Sequence, residues 1–544
     1  MYKASAFLSL VSLLLFAACN QKGQTVNDED GLAAFSADSL KQHISVLAAD
    51  SFMGRKPFTE GETLTINYLQ QKFAAAGLEP GNGNSFVQEV PMVNILATAA
   101  PAMQVQSAKG NFTLKAYDDY IIWTDKTDEN ISLTNSELVF AGYGVDIPGG
   151  YSDYNSIDVK GKIVVIINGV PDGLPSTLAA HFSSAGNKMN IAFAKGAVGV
   201  INAATISRSL PSNTNPAVQL NVALNPEKTT AYGRGFTGNL KVVLNATYPM
   251  LQKLFMNSGK NCEQVVNNLK KGTFSSFELP YSINISYNSI HTDFESYNVV
   301  GLIPGTDKVL KNEYVVHSAH LDHLGISRVV NGDSIYNGAH DNASGVASLL
   351  EIARVYKSSG AKPRRSILIV MVTAEEMGLL GSSYFAANPT VPKNSIVADV
   401  NTDMPTVIAP LLSVVPLGAE HSSLMSNVQF AAKYLGLDVE KDPEPSENRF
   451  VRSDQYSFVM SGIPALHIKY GTKSEIPGFD LTAFVKQWRA KYYHQSADGM
   501  DGIFNFTAAK KYVQLNFLIS YSIAQTTERP KWNAGDLFGA SLSK

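Results

Sequence analysis

The chain is 544 residues long, 45% hydrophobic and 17% charged, with a formal net charge of −3. That length exceeds one ordinary domain, and the apolar share can fill several cores, which excludes a disordered or fibrous chain. The near-neutral charge leaves no basic footprint, so no nucleic-acid partner is expected.

At the N-terminus Lys3 precedes an apolar run over residues 7–16, followed by Ala17-Ala18-Cys19. The run is too short to span a membrane as a stable helix and ends at small residues, as a cleaved export signal does. The segment resembles a bacterial lipoprotein signal, although Phe16 stands where that signal usually has Leu. The resemblance implies removal of residues 1–18 and lipidation of Cys19. It also implies a protein held by a lipid anchor to a membrane of the bacterial cell envelope. An ordinary secretory signal is the alternative, and either takes the protein out of the cytoplasm. Residues 19–34 are polar at their start and read as a flexible tether. Only Cys262 remains after Cys19, so no internal disulfide framework is expected.

Helical apolar spacing covers residues 39–49 and 61–76, and Gly77 is placed to stop the second helix. From about 103 to 285 the texture becomes β-rich. Short runs such as 137–141, 162–167 and 198–201 are separated by Gly, Pro, Asn and Asp clusters. Beyond about 297 strands and helices alternate. Strands are predicted at 314–319, 366–373, 395–400 and 464–468, and helices at 343–356, 379–387, 450–460 and 508–524. This alternation predicts an α/β three-layer sandwich with a mixed, mostly parallel central sheet. In such sheets ligands collect beyond the carboxyl ends of the strands.

Six residues fall where strands end or helices begin: His320, Asp341, Glu375, Glu376, Asp403 and His494. Two imidazoles and three carboxylates suit zinc better than magnesium or calcium, and one carboxylate is left over for proton transfer. Asp322, two residues after His320, is placed to receive the second ring N–H of that histidine and so fix its tautomer. His317 reads as a core residue of the strand, and His323 as lining the pocket. Asp341 alone is more simply a helix N-cap, Glu375-Glu376 a solvated helix start, and His494 a surface residue. The ordered set is what gives them chemistry. Two adjacent buried carboxylates repel unless a cation or proton relieves them.

Five stretches resemble metallopeptidase family 28, the co-catalytic zinc aminopeptidases. They are His-Leu-Asp-His-Leu-Gly from 320, Gly-Ala-His-Asp-Asn-Ala-Ser-Gly-Val-Ala from 338, Thr-Ala-Glu-Glu-Met-Gly-Leu-Leu-Gly-Ser from 373, Asn-Thr-Asp-Met from 401, and Tyr-His-Gln-Ser-Ala-Asp from 493. They occur in the family's order. The resemblance implies two zinc ions per subunit bridged by Asp341, one completed by His320 and Asp403 and the other by Glu376 and His494. It makes Glu375 the general base and Asp322 the orienting group, and implies removal of N-terminal residues from peptide substrates. Runs around Phe140-Ala-Gly-Tyr-Gly144, Ile157 to Val165 and Ala194 to Ile201 resemble the protease-associated domain that many family members carry as an insertion. The segment around Leu47-Ala-Ala-Asp50 and Gly54-Arg55 resembles the start of the catalytic fold.

The expected domains are therefore the signal at 1–18, the tether at 19–34, an N-terminal catalytic portion at 35–102 and an insertion at 103–290. The zinc peptidase body follows at 291–530, with a tail at 531–544. Gln455 stands where relatives often have His, and Pro405 where Gly is common, which bears on substrate preference. The same fold hosts glutaminyl cyclases and non-catalytic receptor-like proteins, which are the alternatives. No Gly-x-Ser-x-Gly elbow supports a serine hydrolase. The side-chain preference and oligomeric state are not legible.

Overall fold

A computed structural model describes residues 31–206, 217–405 and 407–541. The signal, Cys19 and most of the tether lie outside the described residues. Among the described residues no helix is long and apolar enough to cross a membrane.

The expected N-terminal helices are present as Ala37–Leu47 and Glu60–Ala76. Ser36 caps the first by accepting from Ser39 N, and Gly77, at φ 78°, ends the second in the left-handed conformation that glycine adopts without strain. The centre of the sheet formed beyond residue 297 is parallel. Tyr314–His320 runs between Ser366–Val372 and Ile396–Asn401, and Ala465–Tyr470 pairs with Ile396–Asn401. Antiparallel strands flank it: residues 299–303 beside Ser366–Val372, and Ser413–Leu417 beside Ala465–Tyr470.

Both faces of this sheet are covered, so its strands are buried at nearly every position rather than at alternate ones. Ile367, Ile369 and Met371 point to the face that carries Ala37–Leu47, Ser344–Ser358 and Phe506–Gln525. Leu368, Val370 and Val372 point to the other, with Phe385 of Leu380–Ala387 and Phe458 of Gln455–Met460. The result is the three-layer α/β sandwich read from the alternation.

The inserted segment departs from a purely β texture. It contains the helices Ser176–Ser183, Ala185–Ala194, Tyr248–Phe255 and Cys262–Lys270. In the last, Cys262, Val265, Val266 and Leu269 are buried at helical spacing, a period hidden among polar neighbours. A single 27-residue strand, Phe277–Ile303, pairs with Asn130–Phe140 at one end and Ser366–Val372 at the other. The boundary expected at 290 therefore lies inside a strand shared by both portions. The helix expected over 450–460 is broken into Arg449–Val451 and Gln455–Met460. Ser413–Leu417, Leu424–Tyr434 and Leu481–Tyr492 are elements the sequence reading did not place.

The segment expected to be an insertion packs against residues 421–456. Ser176 Oγ donates to Asp442, Thr177 meets His421 Nε2 at 2.8 Å, and His181 Nδ1 meets the Tyr456 hydroxyl at 2.8 Å. A second contact reaches further in: Arg234 N donates to Gly378 O at 2.8 Å, three residues past Glu375.

Candidate metal centre

All six residues converge at the carboxyl edge of the parallel strands. His320 is the last residue of its strand. Glu375 and Glu376 follow Ser366–Val372, and Asp403 follows Ile396–Asn401. Asp341 lies in the tight turn Ala339–Ala343 that opens Ser344–Ser358, and His494 lies just past Leu481–Tyr492. Ala374, Met404 and His494 have φ of 53°, 45° and 56°. A left-handed conformation costs a non-glycine residue about 1–3 kcal/mol, a strain that tends to concentrate where side chains are aimed for function.

Asp341 is the centre of the cluster. Its Oδ1 lies 3.2 Å from His320 Nε2, and its Oδ2 lies 3.2 Å from His494 Nε2. His320 Nε2 is also 3.5 Å from Asp403 Oδ1, and His494 Nε2 is 3.1 Å from Glu376 Oε2. Each oxygen of one carboxylate thus faces a different imidazole, each with its own further carboxylate. Glu375 belongs to neither pairing.

With protons as the only counter-charges, these groups perturb each other strongly. Burial would lower both imidazoles, but the carboxylates outweigh it: Glu375 foremost pushes His320 well above its ordinary value, and Asp341 foremost brings His494 up to about 10. Burial would likewise raise Asp341, yet His320 and His494 hold it well below the carboxylate range. Glu376 is lowered because His323 and His494 overcome burial and Asp341. Glu375 goes the other way. Burial first, then Glu376, raises its carboxyl well above the usual value against the pull of His320. The donor set fits a pair of divalent cations, which would take the place of the protons between imidazole and carboxylate.

The supporting residues explain why the motif has these letters. The Asp322 carboxylate accepts from Glu375 N at 3.1 Å and Glu376 N at 3.3 Å. Its distance to His320 Nδ1 is 3.7 Å, and that nitrogen instead meets the Asp322 carbonyl at 3.2 Å. So Asp322 orients the histidine through its backbone and the glutamate pair through its side chain. Asp498 accepts from His340 N and Asp341 N at 3.0 and 3.1 Å, pinning the bridging turn. Gly338, at φ 60°, has no room for a side chain, because a Cβ there would collide with Asp341 O and the His323 ring.

Arg55, wholly buried beneath the site, donates to Leu47 O, Leu321 O, Asn337 O and Gly338 O at 2.6–3.1 Å. Burial lowers its guanidinium only to about 10, since Asp498, Asp322, Asp341 and Glu376 hold the charge.

Two residues have a part other than the one the sequence suggested. His323, read as lining the pocket, has Nδ1 2.8 Å from Glu376 Oε1, and its ligand atom groups with those of Asp341 and Glu376 within 4.8 Å. Its second nitrogen is buried with no hydrogen-bond partner among the described residues. Gln455 is wholly buried, accepts from Asn401 Nδ2 at 2.9 Å and donates to Phe450 O, so it braces the end of a strand and does not face substrate. Pro405 does line a cavity of about 80 Å³, together with Asp403. His317 is wholly buried in its strand, as expected of a core residue.

Residues 298–516 match Peptidase family M28. Leupeptin-inactivating enzyme 1 of Streptomyces exfoliatus is 29% identical over 213 residues, covering 38% of this chain and 44% of that protein. Aminopeptidase YwaD of Bacillus subtilis is 26% identical over 246 residues, 44% of this chain and 47% of that one. The chain thus spans less than half the length of these curated relatives. Among solved structures, an aminopeptidase from Aneurinibacillus sp. strain AM-1 aligns with 93% of this chain and 100% of its own at 18% identity, with a TM-score of 0.49. The likeness to peptidase family M28 thus lies in residues 298–516, the stretch that carries all six residues of the cluster.

Proposed function

We propose that the protein is a zinc-dependent aminopeptidase that releases N-terminal residues from peptides, with Glu375 as general base. His320, Asp403 and one oxygen of Asp341 would hold one ion, and Glu376, His494 and the other oxygen of Asp341 the second. When bound, the pair supplies an activated water and polarises the scissile carbonyl.

The remaining work falls to this chain's own residues. Glu375 borders the ligands without pairing to either imidazole, and its carboxyl has a raised affinity for protons. Those are the properties of a group that takes a proton from water and returns it to the leaving amine. Asp322 holds the backbone N–H of Glu375 and so fixes where its side chain starts. The acidic rim of Glu375, Glu376 and Asp403 suits a positively charged α-amine, which would align the first peptide bond with the base.

The observation that carries this reading is the division of Asp341 between His320 and His494, with an unligated glutamate beside it. The test is a panel of free and N-acetylated peptides incubated with zinc-loaded protein, with and without chelator. Stepwise release of N-terminal residues from the free peptides alone, abolished by chelator, is expected. Equal cleavage of acetylated peptides would sink the exopeptidase assignment, and pyroglutamate formation without cleavage would favour a cyclase.

A further inference from the structure

The 80 Å³ cavity beside the metal centre has an unusual charge. Its wall carries Lys469, Arg449, Arg452 and Arg489, against a single carboxylate, Asp403. The rest of the lining is largely apolar, including Met404, Ile408, Val485 and Trp488.

These cations are not equally engaged. Arg452 and Arg489 share Glu447, each at 3.7 Å, and both guanidinium groups lie against the Tyr493 ring. Arg449 pairs with Asp442 and lies 3.4 Å from Glu444, yet its buried Nε has no hydrogen-bond partner among the described residues. Lys469 has no ion-pair partner there at all. Its Nζ donates to the main-chain carbonyl of Asp403 at 2.7 Å, which leaves two of its three donors unassigned. A desolvated cation without a counter-ion is costly unless something that binds there supplies the charge.

We infer that this cavity receives the side chain of the substrate's N-terminal residue and that Lys469 selects an acidic one, glutamate or aspartate. The inference rests on the aminopeptidase reading and deepens it. Asp403 belongs both to the cluster and to the cavity wall, so with the α-amine held at the acidic rim the first side chain is the group next to this cavity. Its methylenes would lie along Met404, Ile408 and Trp488, and its carboxylate would meet the Lys469 ammonium with Arg449 behind it. The volume equals roughly five to eight water positions, enough for a side chain of glutamate size. Charge decides more than shape here. Glutamine matches glutamate in size but leaves the ammonium without its counter-charge, and a site built around a buried polar group rejects the ligand that fails to satisfy it.

The experiment compares kcat/KM for glutamyl, glutaminyl and leucyl anilides with zinc-loaded wild type and Lys469→Met. Calorimetric binding of free L-glutamate, L-glutamine and L-leucine to the same proteins runs alongside. Wild type is expected to prefer the glutamyl over the glutaminyl substrate by about tenfold or more, and the glutamyl-to-leucyl ratio is expected to fall about 100-fold in Lys469→Met. The binding preference for glutamate over glutamine should vanish in the same variant. A wild type that favours glutamine or leucine in both assays, or a variant that leaves both ratios unchanged, would overturn the inference. Selective glutamate binding without hydrolysis of any unblocked peptide would keep the pocket and discard the aminopeptidase reading. Arg452→Gln, at a partly exposed position, gives a second variant if Lys469→Met does not fold, and it is expected to lower the same ratios by a smaller factor.

Discussion

Glu375 and Glu376 are neighbours in sequence with opposite environments, and the difference is made by what reaches them. Glu376 is contacted by His323 and His494, which lower its affinity for a proton; Glu375 has burial and a like charge, which raise its own. Glu375→Gln is therefore expected to lose about 10²–10⁴-fold in kcat while keeping its full zinc content, because the residue moves protons and is not a ligand. Metal analysis beside single-turnover rates checks this, and loss of zinc in that variant would exchange the two roles. At this scale the sequence was legible where a residue type has few uses in its context. His320 and Asp403 sit at or just past strand ends and Asp341 in the turn that opens a helix, and the order of the motifs named their partners. His323 and Lys469 were not, since nothing local distinguishes a histidine that reaches Glu376 from one that merely lines a pocket. Lys469 acquires its meaning only when Leu481–Tyr492 folds over the strand that bears it.

Arg55 shows how separate elements are tied into one site. Its guanidinium joins the end of Ala37–Leu47, the residue after His320, and the turn before Asp341. Replacing it by Met would leave four buried carbonyls without their donor, at about 1–3 kcal/mol for each that water cannot reach. It would also remove the positive charge beneath the ligands. Arg55→Met is thus expected to lower the thermal midpoint and to weaken zinc retention together. Unchanged zinc affinity by competition with a chelator would mean that the arginine is only a core brace. Alternation of strand and helix gave the architecture of the catalytic body, because buried parallel strands announce themselves as unbroken apolar runs. It failed for Leu424–Tyr434 and Leu481–Tyr492, whose buried faces are narrow and interrupted by polar residues, and for the insertion, where Phe277–Ile303 passes through both portions without any break in texture.

On the scale of the whole molecule, buried histidines link folding to pH, and one of them lies where residues 176–183 meet the body that carries the site. His181, on Ser176–Ser183, meets Tyr456 across that contact, and burial, with a contribution from His421, lowers it to about 4. His317 inside the central sheet is lowered to about 3, chiefly by burial, and His43 on Ala37–Leu47 to about 4 by burial and Lys72. A lowered folded value means that the unfolded chain binds protons first as the pH falls. Their contribution is complete above about pH 6.5 and is lost progressively towards pH 4, where His181 and His43 begin to charge in the folded state. Within that window each such histidine adds about 1.4 kcal/mol per pH unit to the slope of stability against pH. Protonation of metal ligands acts over the same range, so the slope of the wild type alone would not isolate the effect. The comparison with His181→Gln does, because glutamine has no proton to gain. Urea unfolding of zinc-loaded protein at several values between pH 4 and 7 is expected to show a steeper fall for wild type than for His181→Gln, by about one histidine's share. Coincident slopes would remove His181 from the account and leave the docking of the insertion insensitive to acid.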